Sequence, residues 1–120
     1  MLKDSSGQVF TTYVLEVFDE KLSSDFNTID KYAAHFGVSE KKLQRLLSYE
    51  GTSFSKVLDN HRENQAYKLL SVSRMPISVI ANKLGYSSST SFNTACKRWF
   101  SKSPSQMRRE SSPISEKQIL

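Results

Sequence analysis

The sequence predicts an all-α protein of about seven helices, and three observations predict it. Apolar residues recur three and four positions apart through most of the chain, which lines them along one side of a helix. Gly37, Gly51 and Gly85 fall where these stretches stop, and serine or threonine stands just ahead of the next one. That is the chemistry by which one helix ends and another is capped. No stretch alternates with period two for long enough to build a sheet.

Each element follows in order. Residues 1–8 read as a loose lead, after which Phe10, Val14, Val17 and Phe18 mark a first helix stopping near Ser23-Ser24. Thr28 is a candidate cap for a second helix whose inner face is Ile29, Tyr32, Ala33 and Phe36, ended by Gly37. Ser39 caps a third, with Leu43, Leu46 and Leu47 inward and Gly51 as the stop. A long helix from about Phe54 to Leu70 is opened by Thr52 or Ser53 and turns Val57, Leu58, Ala66, Leu69 and Leu70 inward. The stretch "SVSRMP" interrupts it, and Pro76 suits the first turn of a new helix. Ile77, Ile80, Ala81 and Leu84 line that helix up to Gly85. Five hydroxyl residues, Ser87 to Ser91, then precede Phe92, Ala95, Cys96, Trp99 and Phe100, which resume the three-four rhythm, so Ser87 or Ser88 is the next cap. The closing "SSPISEKQIL" is polar and reads as a frayed tail.

Bulk properties narrow the class. A chain of 120 residues with 38% hydrophobic content suits one domain or two small lobes. The single cysteine, Cys96, excludes an internal disulfide and fits a reducing compartment, while His35 and His61 have no partner at metal-ligand spacing, so no cofactor or metal is expected. No apolar run approaches membrane-spanning length and Met1-Leu2-Lys3-Asp4 is not a signal peptide, so the expectation is a cytoplasmic protein with no membrane partner. The net charge is +5, but the first 27 residues set two bases against five acids, so the remainder carries +8. A basic body points to a polyanion, and phosphates are the commonest one.

The chain also repeats itself. Ala33-x-x-x-Gly37-Val38-Ser39 matches Ala81-x-x-x-Gly85-Tyr86-Ser87, and aligning Leu43 with Phe92 places Ser88 opposite Ser39. Helix, glycine turn and capped second helix make a helix-turn-helix, and here there are two, joined by the long central helix. Residues 1–27 are then a lead segment and first helix, 28–51 the first helix-turn-helix, 52–72 the linker helix, 73–110 the second helix-turn-helix and 111–120 a flexible tail. A major groove is about the width of one helix. The candidate DNA-binding residues are Ser39, Lys41, Lys42, Gln44, Arg45 and Ser48 in the first copy, with Glu40 also outward. In the second copy they are Ser88, Ser89, Thr90, Asn93, Thr94 and Lys97. Gln44 can bridge an adenine edge and Arg45 a guanine edge by two hydrogen bonds each.

The stretches "GVSEKKLQRLL", "GTSFSKVLDNHRENQAYKLL", "ISVIANKLGYSSSTSFNTACKRWF" and "SPSQMR" resemble the DNA-binding domain of the AraC/XylS family of bacterial transcription regulators, over about Ile29 to Arg108. The resemblance implies two lobes whose reading helices enter successive major grooves, with Lys41, Gln44 and Arg45 at bases or phosphates. The second lobe departs from the family pattern: Ser88-Ser89 stand for the frequent aspartate-glutamine, Thr94 for the usual arginine and Cys96 for a frequent phenylalanine. Losing that arginine shifts specificity toward the first lobe. The partners implied are double-stranded DNA and RNA polymerase at the nucleoid, with a sensor domain added if the chain is part of a longer regulator.

Several residues have simpler roles. Trp99 and Phe100 continue the inward rhythm and read as core, and Cys96 as a buried small apolar group. Arg62 holds the lobes through a carboxylate or touches a phosphate, and Arg108 and Arg109 are solvated or tie the last helix down. An enzyme is disfavoured, since there is no nucleophile-base pairing, glycine-rich phosphate loop or suitable carboxylate pair. A helical protein-interaction module that kept the fold and lost DNA reading is the alternative.

Overall fold

The computed structural model describes residues 8–111, and within them seven helices follow one another: α1 (Val9–Lys21), α2 (Ile29–Phe36), α3 (Glu40–Tyr49), α4 (Phe54–Val72), α5 (Ile77–Lys83), α6 (Ser89–Phe100) and α7 (Pro104–Ser111). Among the described residues there is no strand, only an isolated bridge between Ser23 and Phe26. No helix of these residues is long and apolar enough to cross a membrane. The tail predicted over 111–120 lies outside the described residues except for Ser111. The chain forms two compact units, one ending at His61 and the other starting at Arg62, so the first part of α4 belongs to one and the rest to the other.

The first unit is built around aromatic rings. Phe18 of α1 meets Tyr32 of α2 and Phe54 of α4 edge-on, with ring centroids 5.1 and 5.6 Å apart. Such tilted pairs set the positive edge of one ring against the negative face of another. Tyr32 is fully buried and its hydroxyl donates to the Phe26 carbonyl at 3.0 Å, so its polar end is satisfied. Val14, Ala33, Leu43, Leu47 and Val57 complete the core. Leu46, expected inward, is only half-buried, because its direction on α3 lies off the Leu43–Leu47 line.

Three helices end in the same way. Gly37 and Gly85 take left-handed backbone, at φ 71° and 90°, which a side chain would strain. Behind each, a second amide reaches back one turn: Val38 N–H donates to the Ala33 carbonyl at 2.9 Å and Tyr86 N–H to the Ala81 carbonyl at 3.0 Å. The repeated Ala-x-x-x-Gly spacing is therefore a repeated backbone hydrogen-bond pattern. Thr52 N–H to the Leu47 carbonyl, at 3.0 Å, closes α3 likewise.

The helix starts vary more. Ser39, Ser53 and Ser88 accept from the amides of Lys42 (3.0 Å), Lys56 (3.2 Å) and Ser91 (3.2 Å), deciding the two open choices of cap in favour of Ser53 and Ser88. Thr28 does not cap α2; its hydroxyl donates to the Asp30 carboxylate instead, which holds that carboxyl below its ordinary pKa. Pro76 stands at the cap position of α5 rather than within its first turn. α1 has no side-chain cap of its own, and Glu50, at the end of α3, supplies one. Its carboxylate accepts from the amides of Phe10 and Thr11, both at 2.8 Å, and from the Thr11 hydroxyl at 2.7 Å. A negative charge at a helix start is also favoured by the helix dipole.

In the second unit Ala66, Leu70, Ile80, Ala81, Leu84, Phe92, Cys96 and Met107 form the core. Burial pushes the Cys96 thiol up to about 12, so it stays a neutral apolar group at physiological pH. Trp99 and Phe100 are half-buried and pack at the margin of this core. Arg108 of α7 does tie the last helix down, donating to the carbonyls of Leu69 and Leu70 at 3.2 and 3.4 Å.

Replacing Glu50 with alanine is expected to destabilise the first unit by about 1–3 kcal/mol, because a charged acceptor and three hydrogen bonds are lost together. Urea unfolding followed by circular dichroism measures the loss. Hydrogen exchange should accelerate first at the Phe10 and Thr11 amides.

Candidate nucleic-acid interface

Each unit exposes one face of a capped helix whose opposite face is core. In α3, Leu43 and Leu47 are fully buried while Lys41, Lys42, Gln44, Arg45 and Ser48 are exposed. In α6, Phe92, Ala95 and Cys96 are buried while Ser89, Thr90, Asn93, Thr94 and Lys97 are exposed. With Leu43 set on Phe92, the outward positions correspond one to one: Lys41 with Thr90, Gln44 with Asn93, Arg45 with Thr94 and Ser48 with Lys97. The same core contact thus fixes the rotation of both helices about their axes.

The faces differ in reach. That of α3 carries three cations and an amide on long stems, whereas α6 begins with short hydroxyls and has Lys97 and Arg98 near its end. Gln44 and Ser48 also line an open cleft of about 380 Å³ with Ile29, Thr52, Ser53, Phe54 and Ser55. They occupy a flank of α3, with Lys41 and Arg45 on its crest.

Three predicted residues have local work. The hydroxyls of Ser39 and Ser88 cap their own helices, and Ser88 also shares a 3.2 Å hydrogen bond with the Ser91 hydroxyl. Thr94 donates to the Thr90 carbonyl one turn back at 3.1 Å, which leaves its oxygen free only as an acceptor. The outward position Tyr49 was missed by the sequence reading, and Arg98 was left out of the candidate DNA-binding residues. They correspond to one another in the same alignment, and an amphipathic count that extended one residue further along each helix finds both.

Arg62 reaches the turn between α5 and α6, a role the sequence did not suggest. Its Nε donates to the Leu84 carbonyl at 2.6 Å and its Nη2 to the Gly85 carbonyl at 3.1 Å. Its guanidinium also lies 4.2 Å from the Tyr86 ring centroid. The planar fork thereby clamps the turn that leads into α6. Among the described residues no group of His, Cys, Asp and Glu is placed to hold a metal ion.

A family model described as a helix-turn-helix domain matches residues 32–110. A solved transcriptional regulator from Chromobacterium violaceum, described as containing an AraC-type DNA-binding domain, superposes with a TM-score of 0.66 at 26% identity, over 90% of this chain and 94% of that one.

The chain belongs to the AraC/XylS family.

Another family match is the ornithine utilization regulator of Pseudomonas aeruginosa, 34% identical over 84 residues, which is 70% of this chain and 25% of that protein. The DNA-binding domain of AdpA, solved in complex with a target DNA, shares the AraC/XylS fold with a TM-score of 0.66 at 22% identity, covering 84% of this chain and 87% of that one. The chain spans roughly a quarter of the length of the curated relatives it matches.

Arg62→Ala is expected to cost the second unit about 2–3 kcal/mol, since hydrogen bonds from a charged donor are each worth about 1.5–3 kcal/mol. Arg62→Lys recovers only part, because an ammonium cannot fork across two carbonyls. Trp99, the one tryptophan, lies in this unit and reports the loss by fluorescence during urea unfolding.

Proposed function

We propose that this chain binds double-stranded DNA sequence-specifically as part of a transcription regulator, each unit setting its own helix into a major groove. The observation that carries this reading is the pair of matched helix faces: α3 and α6 each bury one apolar side and expose a polar, basic one in the same rotational register. Membership of the AraC/XylS family and the DNA-bound state of AdpA support it. Residues 28–51 and 73–110 are then the reading modules and 52–72 their linker, with 1–27 as lead and 111–120 as tail.

Roles follow from side-chain chemistry. Arg45 and Gln44 read base edges by paired hydrogen bonds, and Asn93 does the same in the second module. Lys41, Lys42 and Lys97 hold phosphates as point charges. Ser48, Ser89, Thr90 and Thr94 make short contacts wherever the helix approaches closely, while Ser39 and Ser88 contribute through the helix starts that they cap. Such a regulator works at the nucleoid in the cytoplasm, with RNA polymerase as the partner that turns binding into transcription. Within a longer regulator a sensor domain supplies the signal.

Selecting bound fragments from random duplex DNA tests the reading directly. Affinity for a recovered site should fall linearly with salt on logarithmic axes, by about −0.9 per phosphate contact. No enrichment and a flat salt dependence point instead to the helical protein-interaction module. On a recovered site, Arg45→Ala should cut discrimination against random DNA by about 1–3 kcal/mol, and Asn93→Ala by less, because α6 presents fewer long side chains.

A further inference from the structure

We propose that Tyr49 grips the DNA backbone at the far end of the first reading helix, its ring packed on a deoxyribose and its hydroxyl donating to a phosphate. The proposal rests on the DNA-binding reading above. Tyr49 is 80% exposed, more than any other large hydrophobic side chain among the described residues, and has no ring or hydrogen-bond partner there. Its side chain pairs an apolar ring with a polar tip, a combination that suits a sugar beside a phosphate.

Fraying does not account for that exposure, because the chain is held on both sides of Tyr49. Leu47 is fully buried, the Glu50 amide donates to the Leu47 carbonyl at 3.0 Å, and the Glu50 carboxylate is bound to the start of α1. The ring is therefore carried on a fixed backbone and aimed outward before any ligand arrives, which spares ordering entropy on binding.

Position on the helix then selects the contact. Lys41, Arg45 and Tyr49 are four residues apart and form one stripe along α3. Eight residues rise about 12 Å, close to the major-groove width of about 12 Å. Helix-turn-helix proteins present the N-terminal part of the reading helix to base edges. With Arg45 so placed, Tyr49 one turn further on meets the wall of the groove, which is sugar and phosphate, and tyrosine is among the side chains that bond phosphate oxygens. The corresponding position in α6 is Arg98, whose guanidinium lies 5.4 Å from the Trp99 ring centroid, so the same register carries an exposed side chain with a hydrogen-bond donor in both units.

The test uses the full chain, a duplex recovered by selection and a random duplex of equal length. Tyr49→Ala should weaken binding to both by about tenfold with no change in melting temperature, and Tyr49→Phe by less. Tyr49→Arg should restore affinity and steepen the salt slope by about one contact, or 0.9. Single neutral methylphosphonates along the recovered duplex locate the partner: at one of them Tyr49→Phe should cost nothing further. Unchanged binding by Tyr49→Ala, or a loss confined to the recovered site, overturns the proposal. If the unaltered chain binds neither duplex, the DNA-binding reading itself fails and this one falls with it.

Discussion

Short helices leave a large share of their backbone polar groups at open ends, and satisfying those ends is the constraint around which this protein is arranged. Four amides and four carbonyls per helix have no partner within it. Here α5 has only seven residues and α2 and α7 only eight each, so the ends are nearly the whole element. Left-handed glycines and serine caps take care of some from within the local sequence. The rest depend on ionised side chains brought from far along the chain: Glu50 at the start of α1, Arg62 at the end of α5 and Arg108 near the end of α4. Each has the sign that the helix dipole favours at that end.

These ties bear on the placement of α3 and α6 as much as on stability. Glu50 follows directly on α3, so binding its carboxylate to α1 also fixes where α3 stops. Arg62 grips the carbonyls of the turn before α6 and covers the ring of Tyr86, so that turn has little freedom to reorient. A side chain that must meet a base edge within a few tenths of an ångström needs a helix held in this way. Residues with no route to a ligand thus determine whether those with one can use it.

The two units share a register and differ in chemistry. An arginine and a glutamine on α3 offer paired donors and acceptors at a distance, while threonine and asparagine at the matching places on α6 act only at close range. Thr94 spends its proton on its own helix, which narrows its options further. Cys96 sits fully buried, and its raised pKa keeps it a neutral part of the core.

Periodicity and punctuation by themselves determined the all-α class, the Ala-x-x-x-Gly repeat, the cap at Ser39 and the outward set from Lys41 to Lys97, because each is settled by residues within one or two turns of one another. Thr28 escaped that logic: a cap and a hydroxyl bound to Asp30 look alike in sequence, and only the rotamer separates them. Only the tertiary structure decided the roles of Glu50, Arg62 and Arg108. Their partners lie 22 to 40 residues away, and a charged side chain carries no local mark of which distant helix end it will meet.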